Sequence, residues 1–107
     1  MAIVINSANF DTEVVQSQVP VVIDVFATWC GPCKQMTPLF DELSKELTGK
    51  CKLVKLNIDE DRDLAIQYNV SSIPTFIFIK NGQMVGKETG SMSKEALKNK
   101  IQTLLGV

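Results

Sequence analysis

Seven consecutive residues, Val21-Val22-Ile23-Asp24-Val25-Phe26-Ala27, are apolar at odd and even positions alike, with a single aspartate among them. A strand with one wet face alternates apolar and polar side chains. A run without alternation needs cover on both faces. The chain must therefore place layers on each side of a sheet, and 107 residues allow this around one core rather than two.

The rest of the sequence supplies those layers. Ile3 to Ile5 reads as a short strand, and Ser7 or Asn9 is placed to cap a helix to about Ser17 with Phe10, Val14 and Val15 inward. Beyond Pro32, apolar residues Met36, Leu39, Phe40, Leu43 and Leu47 recur at helical spacing, with Pro38 inside the pattern, where a kink is expected, and Gly49 ending it. Cys51 to Ile58 is a second interior strand, and Asp59-Glu60-Asp61 puts acids at the positive end of a short helix through Tyr68. Thr75 to Ile79 is a third interior strand. Asn81-Gly82 signals a hairpin, and Met84 to Thr89 returns beside it until Gly90. Ser93 is placed to cap a last helix carrying Ala96, Leu97, Ile101, Leu104 and Leu105. The order is β-α-β-α-β-α-β-β-α. This predicts an α/β fold with a mixed central five-stranded sheet flanked by four helices on both faces, residues 1–107 forming one domain.

Directly after the first interior strand comes Trp29-Cys30-Gly31-Pro32-Cys33-Lys34. Two thiols two residues apart, at the carboxyl end of a strand and the start of a helix, are placed to cycle between dithiol and disulfide. Unpaired N–H groups and the helix dipole favour thiolate at Cys30. Cys33, one turn behind, can attack a mixed disulfide intramolecularly, and well-oriented reactions of that kind reach effective molarities of about 10⁵ M or more. Cys30 is thus the expected attacking thiol and Cys33 the resolving one. Gly31 leaves room for a substrate backbone, and Pro32 suits a first helical turn. Two other uses of the pair are open on spacing alone. A zinc or iron–sulfur site wants further ligands, whereas the chain has three cysteines and no histidine. A purely structural bridge over so short a loop would constrain the unfolded chain little.

Composition narrows the field of partners. The net charge is −1 with acids and bases interspersed, so neither nucleic acid nor a membrane surface is expected as a partner. The apolar runs are strand-length, and Met1 to Asn6 shows no basic leader or cleavage site. The expected compartment is the cytoplasm, where a disulfide is more often transient and catalytic than a permanent staple.

Four separated features together resemble the thioredoxin family: Asp24, the run Trp29 to Lys34, Lys55, and Ile73-Pro74-Thr75, with Gly82 and Gly90 also at family positions. The likeness covers essentially the whole chain. It implies the thioredoxin fold and a protein-disulfide reductase that acts by dithiol–disulfide exchange. It also implies a monomer with no bound cofactor. Disulfide-containing proteins would be its substrates, and a flavoprotein thioredoxin reductase using NADPH would return its electrons.

Thioredoxin is itself the standard case of a Cys-X-X-Cys thiol lowered to about pKa 7, so that value is the family's and not one read from this chain. It would give an about fifteen-fold gain in thiolate over a thiol of pKa about 8.5. The weaker nucleophilicity of a less basic thiolate takes back about five-fold. Acidity therefore contributes little, and the placement of Cys33 contributes most.

Asp24 interrupts an apolar run, which places its carboxyl in the interior and raises its pKa. Such a group can take the proton of Cys33 as that thiol attacks, and the resemblance implies the same role. Lys55 interrupts Leu53-Val54-Lys55-Leu56 and is expected beside Asp24, in a catalytic set or in a plain buried ion pair. Pro74 alone reads as a strand-initiating proline. The resemblance implies a cis Ile73–Pro74 bond against the two cysteines, with Ile73 offering its backbone to an extended substrate. Trp29, Gly31, Pro32, Ile73, Pro74 and Gly90 are the expected substrate-binding residues, and no metal site is expected. Lys34 reads as a solvated cation, and Cys51 as a small buried hydrophobe with a regulatory or dimerising thiol as the alternative. Phe26 departs from the family, which often carries tryptophan there.

Overall fold

The computed structural model describes residues 2–107. Five strands, β1 (Ile3–Ile5), β2 (Val21–Phe26), β3 (Lys52–Asn57), β4 (Thr75–Lys80) and β5 (Gln83–Thr89), form one sheet in the order β1-β3-β2-β4-β5. β1, β3 and β2 run parallel, while β4 and β5 add antiparallel pairs. The three helices are α1 (Gly31–Glu46), α2 (Arg62–Gln67) and α3 (Lys94–Leu105), and a short π-helical segment, Asp11–Val15, precedes β2. The mixed five-stranded sheet, four helical segments and element order agree with the sequence reading.

The non-alternating run of β2 has the cover it requires. Its residues Val21 to Val25 are all buried. Val22 joins Phe76 and Phe78 of β4 in a core closed by Met36, Phe40 and Leu43 of α1 and Leu97, Ile101 and Leu105 of α3. Phe40 and Phe76 pack with ring centroids 6.1 Å apart. Val21, Ile23 and Val25 face the other way, into a core with Val54, Leu56, Ile77, Ile79, Val14 and the α2 residues Leu64 and Ala65. Side chains alternate sides along a strand. Asp24 therefore shares the face of Val22, under α1.

Local signals set the element ends. Ser93 Oγ accepts from Ala96 N at 3.1 Å, capping α3 as expected. Asn81 (φ 54°) and Gly82 (φ 76°) both sit in the left-handed region, the requirement of a two-residue type I′ hairpin. α1 runs as one helix through Pro38, which is exposed. At Gly86 a Cβ would lie 2.8 Å from Leu104 Cδ1, so a hydrogen there lets α3 lie directly on β5.

The first helix departs from expectation. It is a short π-type turn with no side-chain cap at its start. Asn6 Oδ1 instead accepts from Ala8 N and Asn9 N, and Asn9 Oδ1 accepts from Asn6 N at 2.7 Å, closing the preceding turn locally. Ser7 is drawn away altogether, its N and Oγ both donating to Asp61. The Gln16 N–H reaches back to Asp11 O, and this wider winding leaves Val15 exposed while Val14 is buried.

Candidate active site

β2 delivers the chain to the front of α1. After Phe26 a turn closed by Cys30 N donating to Ala27 O (3.2 Å) brings Cys30 to the N-cap position of the helix. Its extended backbone (φ −84°, ψ 112°) aims Sγ at the first helical turn, where Cys33 N donates to it at 3.2 Å. Pro32 occupies the first turn, where a missing N–H costs nothing. Cys30 and Cys33 form a disulfide with a Cα–Cα distance of 5.2 Å. Cys30 is 6 % exposed and Cys33 2 %, so Cys30 is the less enclosed residue of the pair. In the reduced state the same N–H and the helix dipole would act on a Cys30 thiolate.

Trp29, 67 % exposed, stands beside the pair. Its indole Nε1 donates to Asp59 Oδ2 at 2.8 Å. Asp59 is thus a site residue that the sequence reading spent on α2. The cap of α2 is Asp61, whose carboxylate accepts from Leu64 N. Nothing in the spacing links residues 29 and 59; the pairing of β2 with β3 brings their ends together. Trp29 and Ile73 are two walls of a groove of about 450 Å³ whose other lining residues include Ile58, Ile66, Val70 and Ser72. The last four were also missed. No sequence signal marked them; in the structure Ile66 is 60 % exposed although apolar, an odd occupant for the open side of a six-residue helix.

Ile73 is half-buried and packs on the cluster of Ala27, Cys30 and Cys33. The Ile73–Pro74 bond is cis, as the resemblance implied. Pro74 is buried, and its carbonyl accepts from Gly90 N at 2.8 Å, which draws Gly90 (φ 103°) to this end of the sheet. Gly31 and Pro32 are exposed, with open space in front of Gly31. Lys34 is exposed.

In the middle of β2, Asp24 is fully buried, and neither carboxyl oxygen has a hydrogen-bond partner among the described residues. Burial pushes its carboxyl up to about 7, with the Lys55 charge pulling down and Asp41 adding to the rise. Lys55 lies directly across from Asp24 in the β2–β3 register, yet the two make no ion pair. The plain buried ion pair is therefore not what this structure contains. Lys55 Nζ instead donates to Thr37 Oγ1 at 3.3 Å and lies 4.7 Å from the centroid of the Phe26 ring.

Cys51 sits at the opposite end of the sheet, buried beside Leu47 and Leu53, and burial pushes its thiol up to about 11. Among the described residues no three Cys, Asp or Glu side chains converge as a metal site.

Residues 1–103 match the family model described as Thioredoxin. The chain belongs to the thioredoxin family. It is 46 % identical to a thioredoxin of Haemophilus influenzae over 95 residues, 89 % of each chain. It is 44 % identical to a thioredoxin of Rickettsia felis over 97 residues, 91 % of this chain and 92 % of that one. It also resembles a chloroplastic M-type thioredoxin of Pisum sativum, 42 % identical over 92 % of this chain and 58 % of that protein. With the paired cysteines at the helix front, family membership makes the protein a dithiol–disulfide oxidoreductase working through Cys30 and Cys33. No helix among the described residues is long and apolar enough to cross a membrane.

The bond from Trp29 to Asp59 holds one wall of the groove. A hydrogen bond of this kind contributes about 0.5–1.5 kcal/mol. Asp59→Ala should therefore loosen that wall and raise KM for a protein disulfide by about two- to tenfold, with kcat little changed. Because Trp29 is the sole tryptophan, its fluorescence anisotropy should fall in the same variant. An unchanged KM with unchanged anisotropy would remove Asp59 from the site.

Proposed function

We propose that the protein reduces disulfides in other proteins, with Cys30 attacking and Cys33 resolving. The single observation that carries the order of attack is the position of Cys30 at the N-cap of α1, its sulfur receiving the Cys33 N–H. The Cys30 thiolate attacks one sulfur of the substrate disulfide, joins it as a mixed disulfide and expels the other as a thiolate. Cys33 then loses its proton and attacks Cys30 Sγ. The Cys30–Cys33 bond forms, the mixed disulfide breaks, and both electrons end on substrate sulfur. Asp24, raised towards neutrality in its buried position, takes the Cys33 proton, with Lys55 adjusting its charge. Trp29, Gly31, Pro32, Ile73, Pro74 and Gly90 form the binding rim. An extended substrate segment lies against Ile73, extending into the groove of Ile58, Ile66 and Val70.

In this reading residues 1–107 act as one domain and as a monomer in the cytoplasm. No cofactor or metal is bound, because sulfur carries both half-reactions. A flavoprotein thioredoxin reductase returns the electrons from NADPH. Neither nucleic acid nor a membrane is a partner.

The test is NADPH-coupled turnover of a disulfide-bonded protein with a purified reductase. The parent protein should turn over, and Asp24→Asn should slow reduction at neutral pH by about tenfold or more, general-base catalysis being worth about 10²–10⁴-fold where proton transfer limits the rate. Absence of turnover sinks the reductase reading. Full turnover by Asp24→Asn makes Asp24 structural.

A further inference from the structure

Asp24 and Lys55 carry opposite charges, are partners in register on adjacent strands and point to the same face of the sheet. A lysine stem is flexible enough to reach a neighbouring carboxylate, and a bare buried carboxylate is a strong attractor. Even so, no ion pair forms, and the carboxyl is left without a partner among the described residues. The ammonium is held elsewhere, by the Thr37 hydroxyl at 3.3 Å and over the face of Phe26 at 4.7 Å. Thr37 is itself oriented. Its Oγ1 donates to the Cys33 carbonyl at 3.3 Å. A hydroxyl has one hydrogen and two lone pairs, so once the hydrogen is committed to Cys33 the lone pairs are left to face Lys55.

We propose that Thr37 is a positioning residue that holds the Lys55 ammonium off the Asp24 carboxyl and so keeps that carboxyl free to exchange a proton. The Phe26 ring is the second hold on the same ammonium. The charged groups facing Asp24 are Lys55 from β3 and Asp41 from α1, while its β4 partner, Phe76, is neutral. Removing the Thr37 hydroxyl therefore leaves Lys55 the Phe26 ring and two carboxylates, of which Asp24 is its direct register partner. The inference rests on the proton-accepting role proposed for Asp24. That role fails separately, if Asp24→Asn reduces substrate at the parental rate.

The experiment follows the Asp24 carboxyl by carbon NMR across pH in the oxidised protein, where Cys30 and Cys33 do not titrate. Thr37→Val keeps the side-chain shape and deletes the hydroxyl. Its Asp24 midpoint should fall by about one pH unit, a tenfold change in ionisation constant, as expected when an opposite charge closes on a carboxylate. Thr37→Ser should keep the parental midpoint. In a Lys55→Met background, adding Thr37→Val should leave the midpoint where it is. A midpoint in Thr37→Val that stays put or rises overturns the proposal, as does a fall that persists without Lys55.

Discussion

Cys33→Ser should convert the protein from a turning-over catalyst into a trap. Cys30 keeps its place at the helix front and still attacks substrate disulfides. The second attack then falls to thiols in solution. An intramolecular thiol in good orientation acts at an effective concentration of about 10⁵ M or more, far beyond any millimolar external thiol, so release slows by many orders of magnitude. Mixed disulfides should accumulate on non-reducing gels, disappear on reduction and map by mass spectrometry to Cys30. Cys51 is an internal control. Buried and with its thiol pushed up to about 11, it should carry none of the adducts and alkylate slowest. Adducts mapping to Cys51, or none at all, would defeat the assignment of attack and resolution.

Asp24→Asn should stabilise the oxidised protein strongly at alkaline pH and hardly at all in acid. In the unfolded chain the carboxyl has its ordinary value of 3.8, whereas in the fold burial lifts it to about 7. Below 3.8 both states are protonated and the aspartic acid costs nothing extra. As pH rises past 3.8 the unfolded chain releases its proton while the folded one keeps it, so stability falls until the folded carboxyl itself ionises near 7. Beyond that the loss is constant. The interval between 3.8 and about 7, at about 1.4 kcal/mol per pH unit, amounts to about 4 kcal/mol. Asparagine is close in shape and stays neutral, so denaturant titrations should place the variant about 4 kcal/mol above the parent at about pH 9 and within about 1 kcal/mol of it at about pH 4. Parallel stability curves across that range would show that the carboxyl is not held neutral by the fold. The parent retains a residue that costs it stability at neutral pH, the pattern expected where function and stability compete.

These two results draw on different layers of information. The pair of thiols, the strand that ends at them and the helix that starts there all follow from contiguous residues. Such features are legible because periodicity, caps and turns are local: the hairpin at Asn81-Gly82 and the cap at Ser93 depend on residues within a few positions. The helix capped by Ser7 or Asn9 failed on contacts that its own spacing does not show: Ser7 turns to Asp61, far along the chain, and the Asn9 Oδ1 is occupied by Asn6 N. The groove was illegible for the same reason. Its walls come from the end of β2, the end of β3, α2 and the segment before β4, and no spacing rule connects them.

From the sequence alone came the layered α/β architecture, the burial of Asp24 and the redox pair, because a non-alternating strand must be covered and a Cys-X-X-Cys at a helix front brings its sulfurs together whatever surrounds it. Tertiary structure decided that Trp29 is tied to Asp59, that Lys55 binds Thr37 and Phe26 in place of Asp24, and which apolar side chains line the approach to Cys30. The physical reason lies in how side chains choose partners. A long flexible chain takes whichever partner the packed fold sets within about 3 Å, and strand register fixes which residues are neighbours without fixing which of them bond.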